Sequence, residues 1–181
     1  FDEALCEQGR NFNNKIWNAL RLIKSWEVSE TIEQPSASAT AIQWFESKLN
    51  SSIKEIDDLF NKYRLSEALM EVYKLFWDEF SAWYLEVIKP TYGSPIDKQT
   101  YSATLNYFEA LLKLLHPFMP FITEELYQAI ENRAEKDSIM IASMPKAGVI
   151  NETILKQFEI TKEIVASIRT IRKDKNIANK E

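Results

Sequence analysis

Two prolines three residues apart, Pro117 and Pro120, constrain this chain more than any other feature. They sit in LLKLLHPFMPFITEELYQ, residues 111–128. Leu111, Leu112, Leu114 and Leu115 are too apolar for a solvated helix face. A proline disfavours α geometry in the residue before it, so that helix is expected to stop near His116. Met119-Pro120 repeats the constraint, and Pro120 suits the first turn of a new helix, where a missing N–H costs nothing. Ile122, Leu126 and Ile130 then recur every four residues beside polar Thr123, Glu124, Glu125 and Gln128, a helical stripe. Two helices therefore meet at a fixed angle, held by Phe118, Met119 and Phe121.

An elbow of this kind needs a core to turn around. The 181 residues are 45% hydrophobic and 12% aromatic, enough for one sizeable core. Three glycines and six prolines are few, which favours long helices over turn-rich β structure. No apolar run approaches the roughly 18 residues of a membrane span, so no membrane partner is expected. The chain starts with Phe1 and has no signal-peptide pattern. It reads as an excised fragment or a processed terminus.

Several function classes fall away. Cys6 is the only cysteine, which excludes an internal disulfide and fits a reducing cytosol. One histidine and one cysteine are too few for a metal site of the usual ligand types. A nucleophilic triad would have to use His116, wedged beside a proline. There is no glycine-rich phosphate loop and no internal repeat. A net charge of −5 argues against non-specific nucleic-acid binding by the whole surface, though not against a local basic patch.

Taken in order, residues 1–26 read as a first helix with the stripe Phe12, Ile16, Ala19 and Ile23. Residues 27–39 read as a loop. A second helix starts near Thr40, with Ile42, Phe45, Leu49, Ile53, Ile56 and Phe60 inward. A short connection at 61–64 precedes a third helix, residues 65–90. Its main stripe is Leu69, Tyr73, Phe76, Phe80, Trp83 and Val87; Trp77 and Tyr84 widen it, which makes this helix central. Residues 91–96 form a turn, and Asp97 is placed to cap a fourth helix. That helix runs to about Leu115 with Leu105, Phe108, Leu112 and Leu115 inward. The elbow and a helix to about Arg133 follow, then a crossing loop at 135–150 whose IMIASMP segment reads as short and extended. A last helix spans 151–176, with Ile154, Phe158, Val165, Ile168 and Ile171 on its apolar face. The expected fold is an all-α bundle of about five to six helices with a proline elbow, forming one domain over 1–181.

Two patches are chemically distinctive. On the first helix Asn11, Asn14, Lys15, Asn18, Arg21 and Leu22 fall beside the apolar stripe. Asparagine is a poor helix former, so Asn11, Asn13, Asn14 and Asn18 carry a propensity cost on what could be a plain solvated face. Their amides donate and accept, the pattern that base edges need. The last helix ends in Arg169, Arg172, Lys173, Lys175 and Lys180 against Asp174 and Glu181. Such a basic end can contact phosphate, or simply offset the helix dipole.

Four separated segments carry a resemblance. HPFMPFITEELYQ, GRNFNNKIWNALRLIKSW, FWDEFSAWYLEVIKP and IRTIRKDKNIANK are similar, in order, to segments of the class I aminoacyl-tRNA synthetases for branched aliphatic amino acids. They lie in that family's helical anticodon-binding domain and look most like its valyl members. The resemblance implies recognition of a valine tRNA anticodon within a cytoplasmic, monomeric enzyme that ligates valine to tRNA. The family's HIGH and KMSKS motifs do not occur in these residues. The resemblance therefore implies no catalytic residue or cofactor here, and places ATP and magnesium in the catalytic domain of the parent enzyme. By position it implies anticodon contacts from Lys15, Leu22 and Leu85; Asn14, Asn18 and Arg21 share the face of Lys15 and are expected to join them, and Lys89, one turn beyond Leu85, is placed to reach phosphate. The basic end of the last helix, with Arg169, Arg172 and Lys173, is expected to contact the tRNA backbone rather than its bases. Leu22 stands where the family often has phenylalanine, and Leu85 where a side chain packs on an anticodon base. Two other readings stay open: the same domain of an isoleucyl or leucyl enzyme, and a helical interaction module with no RNA role.

Overall fold

The computed structural model describes residues 3–134 and 136–177, without the side chain of Leu5. Lys180, Glu181 and the first two residues of the expected opening helix lie outside the described residues. The chain is an all-α bundle. Helix α1 spans Glu3–Lys24, α2 Ser36–Asn61, α3 Leu65–Lys74 and α4 Leu85–Ile88. The ten residues between α3 and α4, Leu75–Tyr84, are π-helical, so α3, this stretch and α4 form one continuous rod. Helix α5 spans Lys98–Leu115, α6 Pro120–Ile130 and α7 Glu152–Asp174.

An aromatic spine runs down the centre of the bundle. Phe76, Phe80 and Tyr84, four residues apart on the rod, are fully buried. Phe45 of α2 packs 5.3 Å from Phe80 and 4.9 Å from Tyr84, and Phe108 of α5 lies 6.1 Å from both Phe76 and Phe80. Such ring pairs add to plain area burial. The Tyr84 hydroxyl meets the Thr104 hydroxyl at 3.0 Å, so the one polar tip among these rings is satisfied. Burial pushes the Tyr84 phenol up, and it stays neutral.

Elsewhere the expectations meet differences with physical causes. Helix α2 begins at Ser36, earlier than Thr40, because Pro35 (φ −60°, ψ 141°) sets its N-terminus. Val28–Ser29 pairs in parallel with Ile96–Asp97, a two-residue bridge inside the expected loops. Asp97 does cap α5, its side chain accepting from the Thr100 N–H at 2.8 Å. Helix α6 stops at Ile130, short of Arg133. Ile139–Ile141 is a 3₁₀ turn rather than an extended segment. The crossing segment is pinned by Asn50, which accepts from the Gly148 N–H and donates to the Val149 carbonyl, both at 3.0 Å. Asn151 is the N-cap of α7, accepting from the Thr153 and Ile154 N–H groups.

The elbow turns where its prolines put it, by a slightly different route. His116 keeps α geometry (φ −54°, ψ −40°) despite Pro117. The break falls at Met119, at φ −137°, ψ 63°, with Pro120 opening α6. Phe121 does not hold the corner: it is 90% exposed. Phe118 does, 5.8 Å from Phe60, and His116 Nδ1 lies 2.7 Å from the Thr123 hydroxyl.

The apolar face of α7 is the largest correction. Ile154 and Phe158 are buried, with Phe158 stacked on Trp44 at 3.7 Å. Lys162 pairs with Glu79 and lies 5.0 Å over Trp44. Beyond that pin Val165 is only half-buried, while Ile168 and Ile171 are exposed. Periodicity alone could not show that the bundle ends before they do. Val87 at the end of the rod is likewise exposed.

Candidate nucleic-acid interface

Where α1 crosses the rod, the two helices leave a cleft of about 150 Å³. It is lined by Lys15, Asn18, Ala19 and Leu22 from α1, and by Ser81, Leu85 and Glu86 from the rod. On α1 the apolar stripe Phe12, Ile16, Ala19 and Ile23 faces the core. Lys15, Asn18 and Leu22 recur at three and four residues along the adjoining edge, so they share a face with the cleft. On the rod, Ser81 and Leu85 are four apart and meet them.

The cleft has apolar walls and a polar rim. Leu85 is 3% exposed and belongs to the core as much as to the cleft; Leu22 is half-buried. Lys15 is held with its ammonium 5.0 Å from the centre of the Trp77 ring, itself 5.6 Å from Tyr73. This cation–π contact holds a long side chain at the cleft with no carboxylate in ion-pair reach among the described residues. Asn18 is exposed at the rim. The volume is below that of a drug-sized pocket.

The remaining candidates lie elsewhere. Asn14 and Arg21 are exposed on α1 and do not line the cleft. Lys89 follows Ile88 at the end of α4 and lines a neighbouring groove of about 290 Å³ with Pro90, Pro95 and Ile96. Arg169, Arg172 and Lys173 line a separate groove on α7 with Val165 and Ile168. The Arg169 guanidinium lies 5.7 Å from the Trp83 ring. So Lys15, Asn18, Leu22 and Leu85 share one compact cleft, Asn14 and Arg21 lie outside it on α1, and Lys89 and the α7 cluster are two outlying basic points. Ser81 and Glu86 were not foreseen. A hydroxyl set in the run FWDEFSAWY, one turn before Leu85, was the available signal for Ser81.

Comparison with known proteins decides the family. Residues 43–181 match the family model for the anticodon-binding domain of tRNA ligase. The chain belongs to this family. Among similar proteins, the valine–tRNA ligase of Parabacteroides distasonis is 66% identical over the whole chain, and that of Bacteroides fragilis 58%. The Fusobacterium nucleatum valine–tRNA ligase is 37% identical over 98% of the chain. The chain spans 21% of the length of the first two and of the third alike. In this anticodon-binding domain, no helix among the described residues is long and apolar enough to cross a membrane.

Proposed function

We propose that this chain is the part of a valine–tRNA ligase that recognises the anticodon of valine tRNA. The observation that carries the reading is the cleft between Leu22 and Leu85, rimmed by Lys15 and Asn18, in a chain of the anticodon-binding family. RNA loops are read by splaying bases out, packing them on side-chain faces and bonding their edges. Two leucines offer apolar walls for such a base, and the α1 amides and ammonium offer edge and backbone contacts. Asn14 and Arg21 extend this face along α1. Lys89, Arg169, Arg172 and Lys173 contact tRNA phosphates.

The parent enzyme acts as a cytoplasmic monomer that ligates valine to tRNA using ATP and magnesium; no step of that chemistry falls to residues of this chain. The names of the relatives favour the valyl parent over an isoleucyl or leucyl one. The test is a fluorescence titration of the chain with a stem–loop RNA carrying a valine anticodon, against a hairpin of the same stem and altered loop. Heparin is added to suppress non-specific binding. Preference for the anticodon loop is expected; equal binding of both hairpins overturns the reading.

A further inference from the structure

Ser81 lines the cleft, yet its hydroxyl has no hydrogen-bond partner and is shut off from solvent. A hydroxyl on a helix can donate to the carbonyl one turn back. Thr40, Thr104, Thr123, Thr161 and Thr170 all do so here, to the residue four positions earlier. Ser81 does not bond the carbonyl of Trp77. It lies in the π-helical stretch, whose backbone ladder runs to the fifth residue, as the Leu85 N–H to the Phe80 carbonyl illustrates. Ser81 thus has neither a back-bond nor another side-chain partner among the described residues. π-helical turns in otherwise α-helical rods often mark functional positions. The serine is 8% exposed and its Oγ is shut off from solvent.

We propose that the Ser81 hydroxyl is the group that makes the cleft selective among bases, by bonding one edge of the base that enters between Leu22 and Leu85. This rests on the anticodon reading of the cleft. The leucines hold any flat ring alike, because apolar packing is indifferent to the pattern of donors and acceptors. A hydroxyl both donates and accepts, and it turns about a single χ1 bond between staggered wells. As placed the hydroxyl is shut off from the cleft, so a χ1 rotation must bring it to the base before that contact forms. The free state carries the cost of the unpaired hydroxyl, and a base lacking a matching group on that edge leaves it unpaired.

The test titrates the 181-residue chain with hairpins in which each anticodon base of the valine stem–loop is replaced in turn by the other three. The native chain should discriminate by about tenfold at one position, the scale of a single hydrogen bond. Ser81→Ala should reduce that discrimination to about twofold or less and leave the other positions unchanged. Its urea midpoint should hold or rise, because an unsatisfied hydroxyl has left the interior. Ser81→Thr, which keeps the hydroxyl, should retain the discrimination. Leu22→Ala should weaken every hairpin together. If Ser81→Ala keeps full discrimination while Leu22→Ala loses affinity, the Ser81 assignment is overturned and the base cleft stands. If the native chain does not prefer the anticodon loop at all, both fall. A Ser81→Ala chain with a lowered midpoint and unaltered discrimination would show the hydroxyl to be structural.

Discussion

The elbow and the cleft are made of similar parts, leucines with a hydroxyl and a base or cation beside them, and differ in what they leave unfinished. At the elbow Leu111, Leu112, Leu114 and Leu115 are all buried. The Thr123 hydroxyl donates to the Met119 carbonyl at 2.8 Å and meets His116 Nδ1 at 2.7 Å. With its one proton given to the Met119 carbonyl, the hydroxyl accepts from His116, whose Nδ1 then carries the proton; the opposite tautomer would reverse that bond. At the cleft Leu22 is half open, Ser81 has no partner and the Lys15 ammonium rests on a ring. A closed set of contacts resists change; an open one is available to a ligand. At the elbow the polar groups named are paired, although His116 keeps α geometry before Pro117; at the cleft the Ser81 hydroxyl is not paired.

The largest effect should come from the closed side. Leu115→Ala truncates a fully buried side chain and should cost about 2–5 kcal/mol. For a chain of this size that is roughly 2–4 °C of melting temperature per kcal/mol. RNA binding by the folded variant should be unchanged. Leu85→Ala should lose stability on the same scale and RNA affinity as well, because Leu85 is both core and cleft wall. If calorimetry found Leu85→Ala as stable as the native chain, the cleft would not be continuous with the core, and the comparison would fail.

Next in size is the corner hydrogen bond. Thr123→Val removes the acceptor from His116 and leaves a part-buried N–H unpaired, at a cost of about 1–3 kcal/mol. The urea midpoint measures the loss, and nitrogen NMR of the imidazole in the native chain checks the tautomer. A ring protonated on Nε2 alone would contradict the donor assignment. On the open side, Leu22→Ala should change the midpoint by well under the buried-leucine cost. Its RNA affinity should fall by about 1 kcal/mol, the low end of what base stacking on an aromatic is worth. Leu22→Phe should bind as well or better. An unfolded Leu22→Ala chain would move Leu22 from the cleft to the core.

These regions were not equally legible in the sequence. Proline spacing and a leucine run state the elbow directly, because they act on the backbone of their own segment. Asp97 could be named as a cap for the same reason. The cleft needed the family resemblance, since Leu22 and Leu85 are 63 positions apart by their own numbers and nothing local links them. The π-helical stretch was invisible, because Phe76, Phe80 and Tyr84 at intervals of four suit an α stripe equally well. Ile168 and Ile171 misled for a related reason. Periodicity reports that a face is apolar, not where the surface that would cover it ends.

The smallest effect lies where α5 meets the end of α6. Burial raises the Glu109 carboxyl, but hydrogen bonds and charge from Lys113 and Arg133, both at 2.7 Å, outweigh it and hold the group below the ordinary glutamate range. A depressed carboxylate stabilises the fold fully above its unfolded value, and that contribution is lost as pH falls through the folded one. Glu109→Gln should therefore destabilise at neutral pH and converge with the native chain in acid. The gap should be on the order of 1 kcal/mol or less, because Arg133 keeps Glu131 at 3.0 Å, Asp137 at 3.4 Å and the Tyr127 ring at 3.6 Å. Urea midpoints at several pH values give the two curves. Parallel curves across the acid range would mean that Glu109 is not depressed, and that the closed side of the molecule owes nothing to this charge cluster. The cleft offers the control: Lys15 has no carboxylate within ion-pair distance among the described residues, so Lys15→Met should shift stability nearly equally at every pH in that range.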